Sequence, residues 1–326
     1  MGKILFYRKF GFYIGLILVI SSISCDKSAN DPSPAFQIEN LNTDNYPKVD
    51  GSTSTEPLQI LIACKLFNIG HAWVYSPIWF NYNFRLMPAC DSKPDVCKYI
   101  TERIRHSGTH SAFVNLIYKN ADIILVARTA SNDELDLADS LGVELIETPI
   151  ALDAFVFMNN IHNPVNSLTT KEIQDIYTGK IEYWSDLGGT NSKIKPYRRE
   201  PNSGSQELME ALVMKDLEMI ELRDMMVYGM MGLINAIEFD PEGLGYSVNY
   251  YTQYMVRSDS VKLLTIDGNY PDYKSIKNRD YAYTANVYAV IRKNLITTSS
   301  AYQLYDLLLK TSGQNVIKES GYIPYY

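Results

Sequence analysis

The chain has 326 residues, of which 46% are hydrophobic and 21% charged, and it carries a net charge of −7. That composition suits a globular chain with a sizeable core, in two domains or one large one, and argues against disorder. The acidic balance also argues against a nucleic-acid binder. It leaves room for a small anion, because backbone N–H groups and one or two arginines act locally.

Lys3, Arg8 and Lys9 precede an apolar core at residues 10–20, and Ser22-Ile23-Ser24-Cys25 follows. This pattern reads as a lipoprotein signal over residues 1–25, with Cys25 the lipidated first residue after cleavage. An ordinary signal peptide or an uncleaved anchor is the competing reading. No second long apolar run follows, so the body belongs outside the cytoplasmic membrane, in the bacterial envelope or at its exterior. Residues 26–45 are polar, with Pro32 and Pro34, and read as a flexible tether.

Residues 49–54 read as a short strand ending in a turn, and Leu58, Leu61, Ile62, Leu66 and Ile69 follow a helical period. The aromatic stretch 71–90 has no assignable pattern. Cys90 and Cys97 bracket a short loop and form a candidate disulfide on an export route, while Cys64 reads as buried. A helix is expected over 112–118, a buried strand over 121–127, a helix over 132–140 and a strand over 143–146. A long apolar run occupies 149–159. Thr169 with Glu172 marks a capped helix start. Strands are expected at 244–250 and 283–291, and a helix at 302–309. The alternation predicts an α/β fold with open sheets.

Two segments share one design: Gly51-Ser52-Thr53-Ser54-Thr55-Glu56, and Arg199-Glu200-Pro201-Asn202-Ser203-Gly204-Ser205-Gln206. Each sets glycine and hydroxyl residues at a helix start, where unpaired N–H groups and the macrodipole favour negative charge. Ser107-Gly108-Thr109 is a third such start. Capping is the competing reading, with Thr53–Glu56 and Ser203–Gln206 as capping boxes. Arg128, at the end of the apolar strand, and Arg199 offer forked donors to an oxyanion, or to a carboxylate in an ion pair. His71, His106, His110 and His162 are scattered, and neither a metal motif nor a nucleophile–base motif is visible.

The stretch Ile176-Tyr177-Thr178-Gly179-Lys180-Ile181, followed by Trp184 and Asp186-Leu187-Gly188-Gly189, resembles the PstS-like phosphate-binding proteins of ABC transporters, a branch of the periplasmic type II solute-binding proteins. Asp50 to Ser54, Ser107-Gly108-Thr109 and Arg199 with Ser203-Gly204-Ser205 resemble that family's anion-binding turns, and the similarity spans residues 46–326. The resemblance implies a two-lobed fold with two crossover hinge strands, at 149–159 and 283–291. Lobe 1 would comprise 46–150 plus 286–326, and lobe 2 would comprise 151–285. The implied ligand set is Thr53, Ser54, Thr109, Arg128, Arg199, Ser203, Gly204 and Ser205, with no metal, no cofactor and no catalysis. Where many phosphate binders carry an aspartate at the end of the third strand, this chain has Ala127-Arg128.

The implied function is a monomeric, lipid-anchored protein that captures inorganic phosphate or a related oxyanion and delivers it to ABC permease subunits. Two alternatives stand beside it. One is a sensor or scavenger of another ligand on the same fold. The other is an envelope hydrolase using His110 or Asp153.

Overall fold

The computed structural model describes residues 36–78, 81–91, 93–221 and 223–326. Cys25, the signal segment and the first half of the expected tether lie outside the described residues. Among those described, no helix is long and apolar enough to cross a membrane. Residues 36–45, expected to belong to the tether, instead lie on the body, where Phe36, Ile38 and Leu41 pack against the core. Three apolar side chains in a polar stretch are enough to hold it there.

The elements run β1 (Val49–Gly51), a 3₁₀ turn (Thr53–Thr55), α1 (Glu56–Leu66), β2 (His71–Ile78), β3 (Asn81–Pro88), α2 (Pro94–Arg103), α3 (Thr109–Ile117), β4 (Ile123–Val126), α4 (Asn132–Ser140) and β5 (Leu145–Asn160). Next come β6 (Ser167–Leu168), α5 (Thr170–Tyr177), β7 (Lys195–Pro196), β8 (Arg198–Arg199), α6 (Gly204–Leu208), which continues as a π-helical turn (Met209–Met214), β9 (Met226–Val227) and α7 (Met230–Phe239). The chain closes with β10 (Gly243–Val248), β11 (Val261–Leu263), β12 (Thr265–Ile266), α8 (Tyr273–Asn278), β13 (Thr284–Arg292), α9 (Ser300–Leu309), α10 (Thr311–Ser320) and β14 (Ile323–Pro324).

One strand organises the molecule. The sheet runs β1-β4-β13-β5-β10-β7, with β11 and β14 also on β5. Along 145–154, β5 pairs antiparallel with β13, and along 155–159 it pairs antiparallel with β10. Its run from Ile150 to Asn160 is buried throughout, as a strand covered on both faces must be. The separate strand expected at 143–146 is therefore the start of β5. Pro149 does not break it, because the register with β13 shifts between Val287 and Tyr288 and absorbs the missing N–H. β13 pairs with β4 and with the first part of β5 alone. The chain thus returns from the far half just ahead of β13, where Phe155 N–H donates to Tyr283 O at 2.9 Å.

β4 lies parallel to β1 and antiparallel to β13, with all four residues buried. It ends facing the starts of α1 and α3, which sets up the site. Within the unassigned stretch 71–90, β2 and β3 pair antiparallel, with Trp73 stacked on Tyr254 at 6.4 Å between centroids. The capping box at α5 forms as expected: Glu172 N–H donates to Thr169 Oγ1 at 3.2 Å, and Thr169 N–H donates to Glu172 Oε2 at 2.7 Å.

Candidate functional site

A cavity of about 350 Å³ gathers the three hydroxyl-rich segments into one place. Ser52, Thr53 and Ser54 line it from the end of β1. Ser107, Gly108, Thr109, His110 and Ser111 line it from the start of α3. Arg199, Glu200, Ser203, Gly204 and Ser205 line it from β8 and the start of α6, and Gly229 and Met230 add the start of α7. Its size lies in the range of small-molecule sites, and its wall combines hydroxyls and helix starts with Arg199, Glu200, His106 and His110.

Buried polar contacts hold the first two segments together. The Asp50 carboxylate, 1% exposed, accepts from Ser107 N–H at 2.9 Å, Ser107 Oγ at 2.9 Å and Asn115 Nδ2 at 2.8 Å. One side chain at the end of β1 therefore fixes the loop that opens α3. Ser52 Oγ accepts from Ala127 N–H at 3.0 Å and lies 2.8 Å from Thr109 Oγ1. Gly108 sits at φ 91°, in the region that favours glycine, so the chain can turn directly into α3. Across the cavity, a Cβ built on Gly204 would lie 2.4 Å from Thr109 Oγ1. The α6 start and the α3 start are therefore in contact, and glycine is what allows it.

Arg199 is 4% exposed and its guanidinium is held on two sides. Nε donates to Glu200 Oε2 at 2.9 Å, Nη2 to Glu200 Oε1 at 2.8 Å and Nη1 to Ser205 Oγ at 3.1 Å. Three of the roughly five guanidinium hydrogens are engaged, leaving Nη1 and Nη2 one each. Burial alone would raise the Glu200 carboxyl, but the hydrogen bonds and charge of Arg199, with the Gly229 backbone, hold it below the usual carboxylate range. Tyr246 fixes the backbone: its hydroxyl accepts from Arg199 N–H at 3.0 Å and donates to Gln206 Oε1.

Of the eight ligand residues expected from the sequence, Thr53, Ser54, Thr109, Arg199, Ser203, Gly204 and Ser205 line this cavity, and Arg128 does not. The Arg128 guanidinium forks onto the fully buried Glu134 carboxylate, 2.8 Å to each oxygen. His110 Nδ1 lies 3.0 Å from Glu134 Oε1 and 3.6 Å from Asp133 Oδ2. His110, Asp133 and Glu134 bring ligand-type atoms within 4.8 Å of one another, but Arg128 already occupies both Glu134 oxygens.

The expected capping boxes are half present. Gln206 N–H donates to Ser203 Oγ at 3.2 Å, while the Gln206 side chain turns instead to Glu210 and Tyr246. Thr53 and Glu56 form no box, since Thr53 opens the 3₁₀ turn and Glu56 meets His106 at 3.4 Å. Cys90 and Cys97 are free thiols, as is Cys64. Ser52, Glu200, Gly229 and Tyr246 were not among the expected site residues. Ser52 and Glu200 lie inside the motifs, whereas Gly229 and Tyr246 carry no local signal and join the site through packing alone.

A family model described as a PBP superfamily domain matches residues 39–304. The phosphate-binding protein PstS of Borreliella burgdorferi is 24% identical over 215 residues, 64% of this chain and 73% of that protein. PstS of Staphylococcus saprophyticus is 23% identical over 235 residues, 69% of this chain and 72% of that protein. Among solved structures, a Clostridium perfringens substrate-binding protein with bound phosphate superposes with a TM-score of 0.64 at 23% identity, covering 86% of this chain and 100% of that one. An ABC-type phosphate transport receptor from Vibrio cholerae gives 0.59 at 19% identity, covering 84% and 98%. Family match and superpositions agree on the two-lobed α/β fold of the periplasmic type II binding proteins.

Proposed function

The chain belongs to the PBP superfamily domain family, and on that premise we propose that it captures phosphate, or a closely related oxyanion, for ABC-type import. The observation that carries the reading is the cavity, where Arg199 and hydroxyls from three helix starts converge on one small volume. Relatives named phosphate-binding protein PstS match at 22–25% identity and lend it support. Hydroxyl and N–H donors in a desolvated cleft bind a small anion strongly, since each hydrogen bond to a charged group contributes about 1.5–3 kcal/mol. The half-buried Glu200 keeps the buried Arg199 guanidinium in place, and two guanidinium hydrogens are left for the ligand.

In this reading Thr53, Ser54 and Thr109 bind from lobe 1, residues 46–150 plus 286–326. Arg199, Ser203, Gly204 and Ser205 bind from lobe 2, residues 151–285, and closure about β5 buries the anion between them. Capture needs no bond to be made or broken, so the protein acts as a carrier and not an enzyme. A lipid on Cys25 would keep the body at the membrane, and permease subunits would receive the ligand from the closed form.

Calorimetric titration with phosphate tests the reading. Arg199→Ala should weaken binding by about a hundredfold or more, the loss of charged hydrogen bonds in a dry site. Unchanged affinity in the folded variant would remove the reading.

A further inference from the structure

We propose that the cavity also takes phosphomonoesters of small polar alcohols, with the phosphoryl group on its buried floor and the alcohol carbons toward its exposed rim. The proposal rests on the anion-capture reading and names a wider substrate class for the same cavity.

The wall is graded from dry to wet. Ser54, Thr109, Arg199 and Ser205 are buried, and they carry hydroxyl and guanidinium donors. Ser111, Pro201, Asn202 and Gly229 line the same cavity and are exposed. An anion on the buried donors therefore has one side facing an open rim. Serine and asparagine at that rim can both donate to and accept from a hydroxyl group.

The volume exceeds what a lone phosphate needs. About 350 Å³ is the liquid volume of roughly a dozen waters, at about 30 Å³ each. It falls in the range of about 300–1,000 Å³ that buries organic ligands. An ion of one phosphorus and four oxygens fills only part of it. Closing the cleft does not remove the surplus at its narrow point, because the starts of α3 and α6 already touch. A Cβ on Gly204 would lie 2.4 Å from Thr109 Oγ1, so these two segments have no room to approach further.

The chemistry of a monoester fits this grading. Its second pKa is near 6, so at about pH 7.5 it is mostly a dianion with three acceptor oxygens. The fourth oxygen carries carbon. Tetrahedral geometry turns that oxygen away from donors that hold the other three, and here that direction is the rim. Arg199 has two hydrogens left for the phosphoryl group, and Glu200 adds no unmatched charge, since both its oxygens accept from Arg199. A phosphodiester has a single charge and only two terminal oxygens, so the same floor holds it poorly.

The test is calorimetric titration of the full chain, purified free of bound anion, at about pH 7.5. The probes are inorganic phosphate, methyl phosphate, glycerol 3-phosphate and dimethyl phosphate. Both monoesters should bind within about tenfold of phosphate, and the diester about a hundredfold more weakly or worse. Arg199→Ala should weaken phosphate and glycerol 3-phosphate in parallel, by about a hundredfold. Ser205→Ala, a milder change on the same floor, should weaken both in parallel by about tenfold. Thermal melts establish that each variant is folded.

Phosphate binding with both monoesters more than about tenfold weaker would mean that the cavity closes around the lone ion. That would overturn the proposal and leave anion capture intact. Monoester affinity that survives Ser205→Ala and Arg199→Ala while phosphate affinity falls would place the ester elsewhere, and would overturn it too. So would a diester that binds as well as the monoesters. A wild type that binds neither phosphate nor ester would remove both readings.

Discussion

Gly204→Ala is the sharpest probe of the cavity's geometry. The added Cβ would lie 2.4 Å from Thr109 Oγ1 and 3.2 Å from Thr109 Cβ. Ordinary van der Waals contact is about 1 Å longer than the first of these. Either Thr109 rotates and gives up its 2.8 Å contact with Ser52 Oγ, or the α6 start moves away from the α3 start. Overpacking of this kind costs about 1–3 kcal/mol. Charged to the ligand-bound form, that is a loss of about 5- to 150-fold in phosphate affinity. Calorimetry on the variant reads it directly. In a Thr109→Ala background the Oγ1 clash is gone and only the 3.2 Å approach to Cβ remains. The added cost of Gly204→Ala should then fall well below its cost in the wild type, a coupling that a double-mutant cycle isolates. If Gly204→Ala binds as tightly as wild type, or its effect is the same in both backgrounds, the two segments do not meet as described.

Arg128→Met leaves the fully buried Glu134 without its forked partner and should cost about 3–5 kcal/mol of stability in urea denaturation. Phosphate affinity should fall far less than in Arg199→Ala; the opposite pattern, intact stability with lost binding, would return Arg128 to the ligand set. Asp153, 4% exposed, accepts from Ala154 N–H and Tyr250 N–H at 2.8 and 2.9 Å through Oδ1, and its Oδ2 has no partner. Burial pushes its carboxyl from 3.8 up to about 7 against the pull of those two bonds. Between these values the native state holds more protons than the unfolded one, so this group's stabilisation is complete at low pH and is lost as pH rises through 7. Asp153→Asn removes that loss. Relative to wild type it should gain about 3–4 kcal/mol between pH 4 and 8 in denaturation midpoints, and a flat difference would show the carboxylate to be ionised throughout.

Much of the site was legible because it is built from local chemistry. A glycine and hydroxyls before an apolar helical period mark a helix start wherever they occur, and seven of the eight expected residues line one cavity. Arg128 shows the limit of that reasoning. A strand-end arginine looks the same whether it meets an anion or a carboxylate. Glu134, six positions on at the capped start of α4, decides the matter by approaching within 2.8 Å. Tyr246 is a strand residue with no local mark, and it matters because β10 lies beside β5 and brings its hydroxyl under Arg199 N–H.

The sequence by itself determined the α/β alternation, the capped start of α5 and the three hydroxyl-rich turns, because each depends on residues within one or two helical turns of each other. Only the tertiary structure decided that residues 145–160 make one strand, that Thr109 touches Gly204, and that His110 turns Nδ1 to Glu134. These contacts join residues dozens of positions apart, or depend on which neighbour claims a side chain first. Pairing across the sheet and burial set them, and no local pattern of residues encodes either.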